Sequence, residues 1–356
     1  MKLHPTISFT VASIHSNATE TVYESISTPP LDSTVRLVLT VIGTMGVVVN
    51  MYSAFALYQT KINSPLTKLL LYQQTLLDAS FSALITSLVI SDNYRPSSNI
   101  VPVHPITCYL FQSGVLSRIV RIMIVCNIVF QSVDRFWAIL YPKTYRIYTK
   151  YYIASCSFVI PVYSAIASVT RVVKVTQLEG SCLEQKLQIN KYCLSVLESI
   201  LRYAIPMFFL ILSNVLVIRK LYKLQFVKIP RTEQVTHDGH AVKKERIDNS
   251  PNLLTPTQKT ILLNTFCLAI ELTLSEIVAI VLTILSLCNI IRHDVTSISR
   301  VYYLVAVVFL CGLNPCVEIL TIRRLRNTVM THWQKCRSFC AKSQSGSHDR
   351  QIQGDR

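Results

Sequence analysis

Seven stretches of roughly 20 or more mostly apolar residues run through this chain, each long enough as a helix to cross a hydrocarbon core of about 30 Å. They cover residues 35–58, 66–90, 106–133, 151–169, 194–216, 261–285 and 301–322. Lipid offers no partner to an open backbone amide, so every stretch is expected to be helical. With 51% hydrophobic and 15% charged residues, the 356-residue chain is too apolar for two soluble domains. The expected fold is an all-α membrane protein, a seven-transmembrane-helix bundle with a short amphipathic eighth helix.

A net charge of +16 could suggest nucleic acid, but the cations sit in alternate connections. Lys61 and Lys68 flank the first, and Lys143, Arg146 and Lys150 follow the third stretch. Arg219, Lys220, Lys223, Lys228, Arg231, Lys243, Lys244 and Arg246 follow the fifth, and Arg323, Arg324, Arg326, Lys335 and Arg337 follow the seventh. By the positive-inside rule these segments face the cytoplasm and the N-terminus lies outside. The sequon Asn17-Ala18-Thr19 agrees, making Asn17 a candidate glycosylation site. Residues 1–34 then form an extracellular tail, 35–322 the bundle with a long cytoplasmic loop at about 225–258, and 323–356 an amphipathic helix and tail. The chain past Cys340 is expected to be disordered.

The third stretch ends in "VDRFWAILYP", with Asp134 and Arg135 side by side, Phe136 next and Pro142 beyond. A charged pair is tolerable there because it lies at the membrane interface, where the carboxylate offsets the guanidinium. This segment resembles the Asp-Arg-Tyr motif closing the third helix of rhodopsin-like G-protein-coupled receptors. Asn50, Asp78, Cys108, Cys182, Pro206 and "LNPCVE", with Asn314 and Pro315, stand where members of that family carry matching residues. The resemblance covers roughly residues 35–335. There are departures: no tryptophan in the fourth stretch, no proline in the sixth, Glu318 in place of a tyrosine, Asn214 in place of another, and a longer interval from Cys108 to Arg135. The chain resembles a divergent member.

The resemblance implies a plasma-membrane receptor that binds an extracellular ligand, a peptide or an anionic small molecule, and activates a heterotrimeric G protein, with arrestin as a further partner. Asp134, Arg135 and Phe136 would form the coupling switch together with Asn314, Pro315 and Glu318. Asp78, with Asn50 and Asn314 as partners, would form a polar core that holds sodium in the family or serves as a structural knot. Cys108 would bridge to Cys182, both being external under this topology, with Cys193 a rival. Cys336 and Cys340, next to an amphipathic run of Ile322, Leu325, Val329 and Trp333, are candidate acylation sites or free thiols.

Arg118 and Arg121 stand three apart on one face of the third helix, about 20 to 25 Å from Arg135. Charges at that depth should face the bundle interior. Ser117, Glu198, Arg202, Glu271, Glu276, Arg300 and Tyr303 complete a candidate ligand pocket with excess positive charge, suited to a carboxylate. The other outcome is a self-neutralised structural network. Ser117 stands eighteen positions before Arg135, where amine receptors resemble one another in an aspartate, and residues 301–322 lack the lysine opsins need. Both ligand classes are argued against.

No nucleophile, phosphate loop or metal cluster stands out, so an enzyme is not expected; the cofactor expectation is none beyond sodium. Two alternatives are a polytopic transporter or channel with Asp78, Arg118, Arg121, Glu198 and Glu271 lining an ion path, and a receptor-like protein that has lost signalling.

Overall fold

The structure, a computed structural model, describes residues 23–25, 33–62, 64–93, 104–173, 175–178, 181–185, 191–226, 256–288, 290–291 and 298–353. Asn17 and nearly all of the loop at 225–258 lie outside them.

Helices α1 (Ser33–Gln59) and α2 (Pro65–Asn93) pack side by side. Six π-helical residues, Thr107–Gln112, precede α3 (Val115–Leu140). Gly114 separates them at φ 72°, a left-handed conformation that a residue without Cβ takes at little cost. The expected single helix over 106–133 is thus two pieces meeting at a corner. Helix α4 (Pro142–Val172) starts directly after Tyr141, with Pro142 in its first turn where a missing N–H costs nothing.

Strands β2 (Val175–Leu178) and β3 (Ser181–Gln185) form an antiparallel hairpin, and β1 (Tyr23–Ser25) pairs with β3. The expected N-terminal tail therefore contributes a strand here. Helix α5 (Lys191–Ser199) runs through a π-helical turn, Ile200–Ala204, into α6 (Ile205–Phe226). Helices α7 (Pro256–Leu287) and α8 (Ile298–Thr321) follow. Helix α9 (Arg323–Gln353) spans 31 residues, so the segment past Cys340 continues as helix to Gln353 and the eighth amphipathic helix is long, not short. Its Ile322 approach and Leu325 are buried and Val329 packs beside them, whereas Trp333 is exposed.

The chain is a bundle of long helices with a small three-stranded sheet at one end. Among the described residues, six helices are long and apolar enough to cross a membrane: Ser33–Gln59, Val115–Leu140, Pro142–Val172, Val196–Lys223, Lys259–Leu287 and Ser299–Thr321. The remaining expected stretch is α2, which has the length but carries Gln73, Gln74, Thr75, Asp78, Ser80 and Ser82 in its middle turns.

Packing is inside-out relative to a soluble protein. Phe55, Phe158, Ile166, Phe208, Ile270 and Leu274 point outward and exposed, while Asn50, Gln74, Asp78, Ser82, Asn127 and Glu318 are fully enclosed. An aqueous surface does not sustain so extensive an apolar exterior, and a lipid one does. Helix α3 is the hub: 61% of its most apolar window is buried, against 28–33% for the other five spans. It packs on α2, α4, α6 and α7. Its Ile124, Val125 and Ile128 meet Leu77 and Phe81 of α2, Leu210 of α6 and Leu268 of α7. Among small residues, Gly43 of α1 matters most. A Cβ there would come within 1.9 Å of Thr86 Oγ1 on α2, so a larger residue requires the threonine to turn away or the helices to part.

Candidate functional site

Because α3 is central, its polar residues set three levels along the bundle. The first lies near the sheet. Cys108 and Cys182 are joined by a disulfide that ties the start of the third segment to β3. Cys193 is a free thiol. Just beyond, Arg118 Nη1 meets Glu198 Oε1 of α5 at 2.6 Å. One turn further, Arg121 Nη2 meets Glu276 Oε1 of α7 at 2.8 Å and donates to Ser275 Oγ at 2.9 Å. The two arginines share a face of α3 but each has its own carboxylate from a different helix, so the expected surplus does not reside on α3. Arg202, on the π-helical turn, lays its guanidinium carbon 4.9 Å from the Tyr203 ring centroid. Arg300 reaches toward the α3 corner, where a Cβ on Gly114 would lie 3.4 Å from its Nη2. Ser117 donates to the Gly114 carbonyl at 3.0 Å, and Tyr303 is half-buried within electrostatic reach of Arg121. Glu271 is half-buried on α7 and takes no part in either ion pair.

Arg171, at the end of α4, belongs to this level although the sequence reading passed over it. It is buried and donates from Nε to the Ser113 carbonyl at 3.2 Å. The signal was there: an arginine closing an apolar stretch at the same depth as Arg118.

The second level is a buried polar core. Asp78 accepts from Asn314 Nδ2 at 2.8 Å and from Gln74 Nε2 at 3.1 and 3.2 Å. Asn127 of α3 donates to Gln74 Oε1 at 2.8 Å and to the Leu70 carbonyl at 2.9 Å. Asn50 was expected as a second partner of Asp78, but its amide donates to the carbonyls of Gly46 and Cys311 at 2.9 and 3.0 Å. It pins α1 to α8 instead. Pro315 is buried within α8. Glu318, one turn on, is fully enclosed; Ser53 donates to its Oε2 at 3.4 Å and its Oε1 has no hydrogen-bond partner. With their ample oxygen, Asp78, Asn50 and Asn314 fit a hard monovalent cation in chemistry. The unpartnered Oδ1 atoms of Asn50 and Asn314 are acceptors of the kind such an ion takes.

The third level holds Asp134 and Arg135, 3% and 6% exposed. Arg135 donates from Nε to Asp134 Oδ2 at 3.1 Å and from Nη2 to both Asp134 and Thr67 Oγ1. Asp134 also accepts from Thr67 Oγ1 at 2.9 Å and from the Tyr145 hydroxyl at 2.6 Å. The pair is therefore clamped by α2 and α4, which sequence alone did not indicate. Tyr145 is propped by Ser64 Oγ at 2.7 Å and by an aromatic stack through Tyr152 to Trp137, beside a cavity of about 220 Å³. Phe136 is half-buried, edge-on to Trp137. Cys336 on α9 is exposed, and the side chain of Cys340 lies outside the described residues.

Two ion pairs at one end, a buried polar core in the middle and an ion-paired arginine at the other end thus follow one another along α3. Nothing among them resembles a nucleophile activated by a base. No protein-family model matches the chain, and no curated protein matches its sequence.

Proposed function

We propose that this chain is a divergent rhodopsin-like G-protein-coupled receptor in the plasma membrane, with α2 as a seventh crossing and the N-terminus outside. An extracellular ligand binds at the Arg118–Arg121 level, and a heterotrimeric G protein, and after it arrestin, engages the Arg135 end. Helix α2 qualifies as a crossing despite its polar turns because Gln74, Asp78 and Ser82 face Asn127, Asn314 and α1, while the exposed Ser80 turns its hydroxyl back onto the Leu76 carbonyl.

The observation that carries this reading is the clamp on Arg135. A guanidinium held by a neighbouring carboxylate, a threonine on α2 and, through that carboxylate, a tyrosine on α4 is a two-state element: broken, it leaves an arginine at the membrane interface ready for a partner. A ligand that separates α3 from α7 at Arg121–Glu276 acts on the same helix about 21 Å away. The test is nucleotide exchange on a panel of G-protein α-subunits with purified chain in lipid nanodiscs, wild type against Arg135→Ala. Exchange that requires wild-type Arg135 supports the reading, and equal exchange by both sinks it.

Glu318 favours a second reading, a receptor-shaped protein with altered signalling or an ion path. A buried acid adds to Asp78 a second carboxylate within the membrane-spanning core. Conductance of the expressed chain without any G protein separates the transporter or channel from the receptor.

A further inference from the structure

Beside the Asp134–Arg135 pair, the packing of α3 against α4 leaves a cavity of about 220 Å³. Leu66 of α2, Phe130 and Trp137 of α3, and Tyr152 and Cys156 of α4 wall it with apolar and aromatic surface. Its polar end is the Asp134 carboxylate, 3% exposed, together with the Tyr145 hydroxyl that donates to Oδ1 at 2.6 Å. Trp137 stacks on Tyr152 with ring planes 22° apart, and Tyr152 on Tyr145 at 25°, so three rings stand in near-parallel succession along one side. Close-packed interiors hold few voids larger than a water molecule, and this one is far larger.

We infer that this cavity binds a small, flat, neutral aromatic molecule carrying one N–H or O–H donor, and that its occupancy holds the Asp134–Arg135 clamp closed. Size sets the body: an apolar cavity of about 150 Å³ takes up benzene, and the larger space here has room for a second fused ring. The rings of Trp137, Tyr152 and Tyr145 suit a planar occupant, which packs on aromatics by offset or edge-on contact. Charge sets neutrality, because Arg135 already cancels Asp134 and a further ion would enter unmatched. The donor follows from the carboxylate. Oδ2 serves Thr67 and Arg135, whereas Oδ1 accepts from Tyr145 alone among the described residues, and a carboxylate oxygen has room for about two donors. Ser155, which also lines the cavity, is exposed on the outer surface of α4, so a neutral ring system can arrive through the bilayer.

The effect on the clamp rests on the receptor reading above. Tyr145 is at once a wall of the cavity and a donor to Asp134. An occupant packed on that ring binds the closed arrangement better than one in which Tyr145 has left, and shifts the equilibrium by that difference in affinity.

The test uses the full chain in phosphatidylcholine nanodiscs, with indole and 2-naphthol as probes and 1-methylindole, which lacks the donor, as the control. Alkylation of Cys156 by N-ethylmaleimide is followed by peptide mass spectrometry, with the exposed Cys193 as internal reference. At least one probe is expected to slow Cys156 about fivefold or more at saturation without slowing Cys193, and 1-methylindole to need about tenfold more for the same protection. The same probe should raise the thermal midpoint by about 2 °C or more. Ser155→Phe, which sets a ring at the exposed mouth, should abolish that rise. No protection and no rise from either probe, equal potency of 1-methylindole, or an undiminished rise in Ser155→Phe overturns the site. Basal nucleotide exchange that fails to fall when the probe is bound overturns its hold on the clamp. Failure of the receptor reading looks different: the probe protects Cys156, yet no G protein on the panel exchanges nucleotide with or without it.

Discussion

Arg121 and Glu276 face each other at 2.8 Å across the contact of α3 and α7, with side chains 9% and 1% exposed. An ion pair so enclosed has lost its water, and removing one partner leaves the other charged and unmatched. We expect Glu276→Gln to cost about 3–5 kcal/mol of stability, and the double replacement Arg121→Met with Glu276→Leu to cost far less. Thermal unfolding in detergent, followed by exposure of buried thiols such as Cys126, measures both. A single variant as stable as wild type would mean the contact contributes nothing.

Gly43 offers a purely steric counterpart. A methyl at this position would overlap Thr86 Oγ1 at 1.9 Å, so α1 and α2 must separate or Thr86 must move. Gly43→Ala is expected to destabilise by about 1–3 kcal/mol, the usual range for overpacking. Adding Thr86→Ala removes the obstructing oxygen and should restore most of the loss. If the double variant is no better than the single one, the obstacle is backbone and not the hydroxyl.

What could be read in the sequence was periodic or local. Apolar stretches gave the long helices to within a few residues at most ends, because lipid permits no other backbone state over such lengths. They failed at Gly114, where one left-handed residue divides the third stretch, and at α9, where a polar composition conceals a helix that continues past Cys340 to Gln353. Residue types announced Asp78 and the Arg118–Arg121 face, since a charge within an apolar run must have a reason. Partners were another matter. That Glu198 takes Arg118 and Glu276 takes Arg121, that Asn50 serves Cys311 and not Asp78, and that Thr67 and Tyr145 clamp Asp134 all depend on how helices distant in sequence are rotated. Threonine and tyrosine at helix ends are too common to signal this.

Tyr145 makes the receptor reading quantitative. Its hydroxyl donates to Asp134 Oδ1 at 2.6 Å, and Thr67 supports the other oxygen at 2.9 Å. A hydrogen bond to a charged group contributes about 1.5–3 kcal/mol, so its loss should shift the clamped-to-free ratio roughly tenfold or more. Tyr145→Phe and Thr67→Ala are expected to raise ligand-independent nucleotide exchange while leaving the Arg121 level intact. Basal exchange unchanged in both variants would show that the clamp does not hold the inactive state.

Glu318 tests whether an enclosed acid without a cation is kept for its charge. No ion pair among the described residues includes it, Ser53 reaches it only at 3.4 Å, and Oε1 has no partner. An unpaired charge enclosed there is costly, and an amide is a neutral side chain of the same shape. Glu318→Gln should therefore retain or raise the thermal midpoint, whereas Glu318→Lys, which buries a charge that cannot be shed as cheaply, should prevent recovery of folded protein. Were Gln to destabilise as severely as Lys, the oxygen pair itself would have to be held by something charged, and the polar core would be an ion site in which Glu318 takes part alongside Asp78.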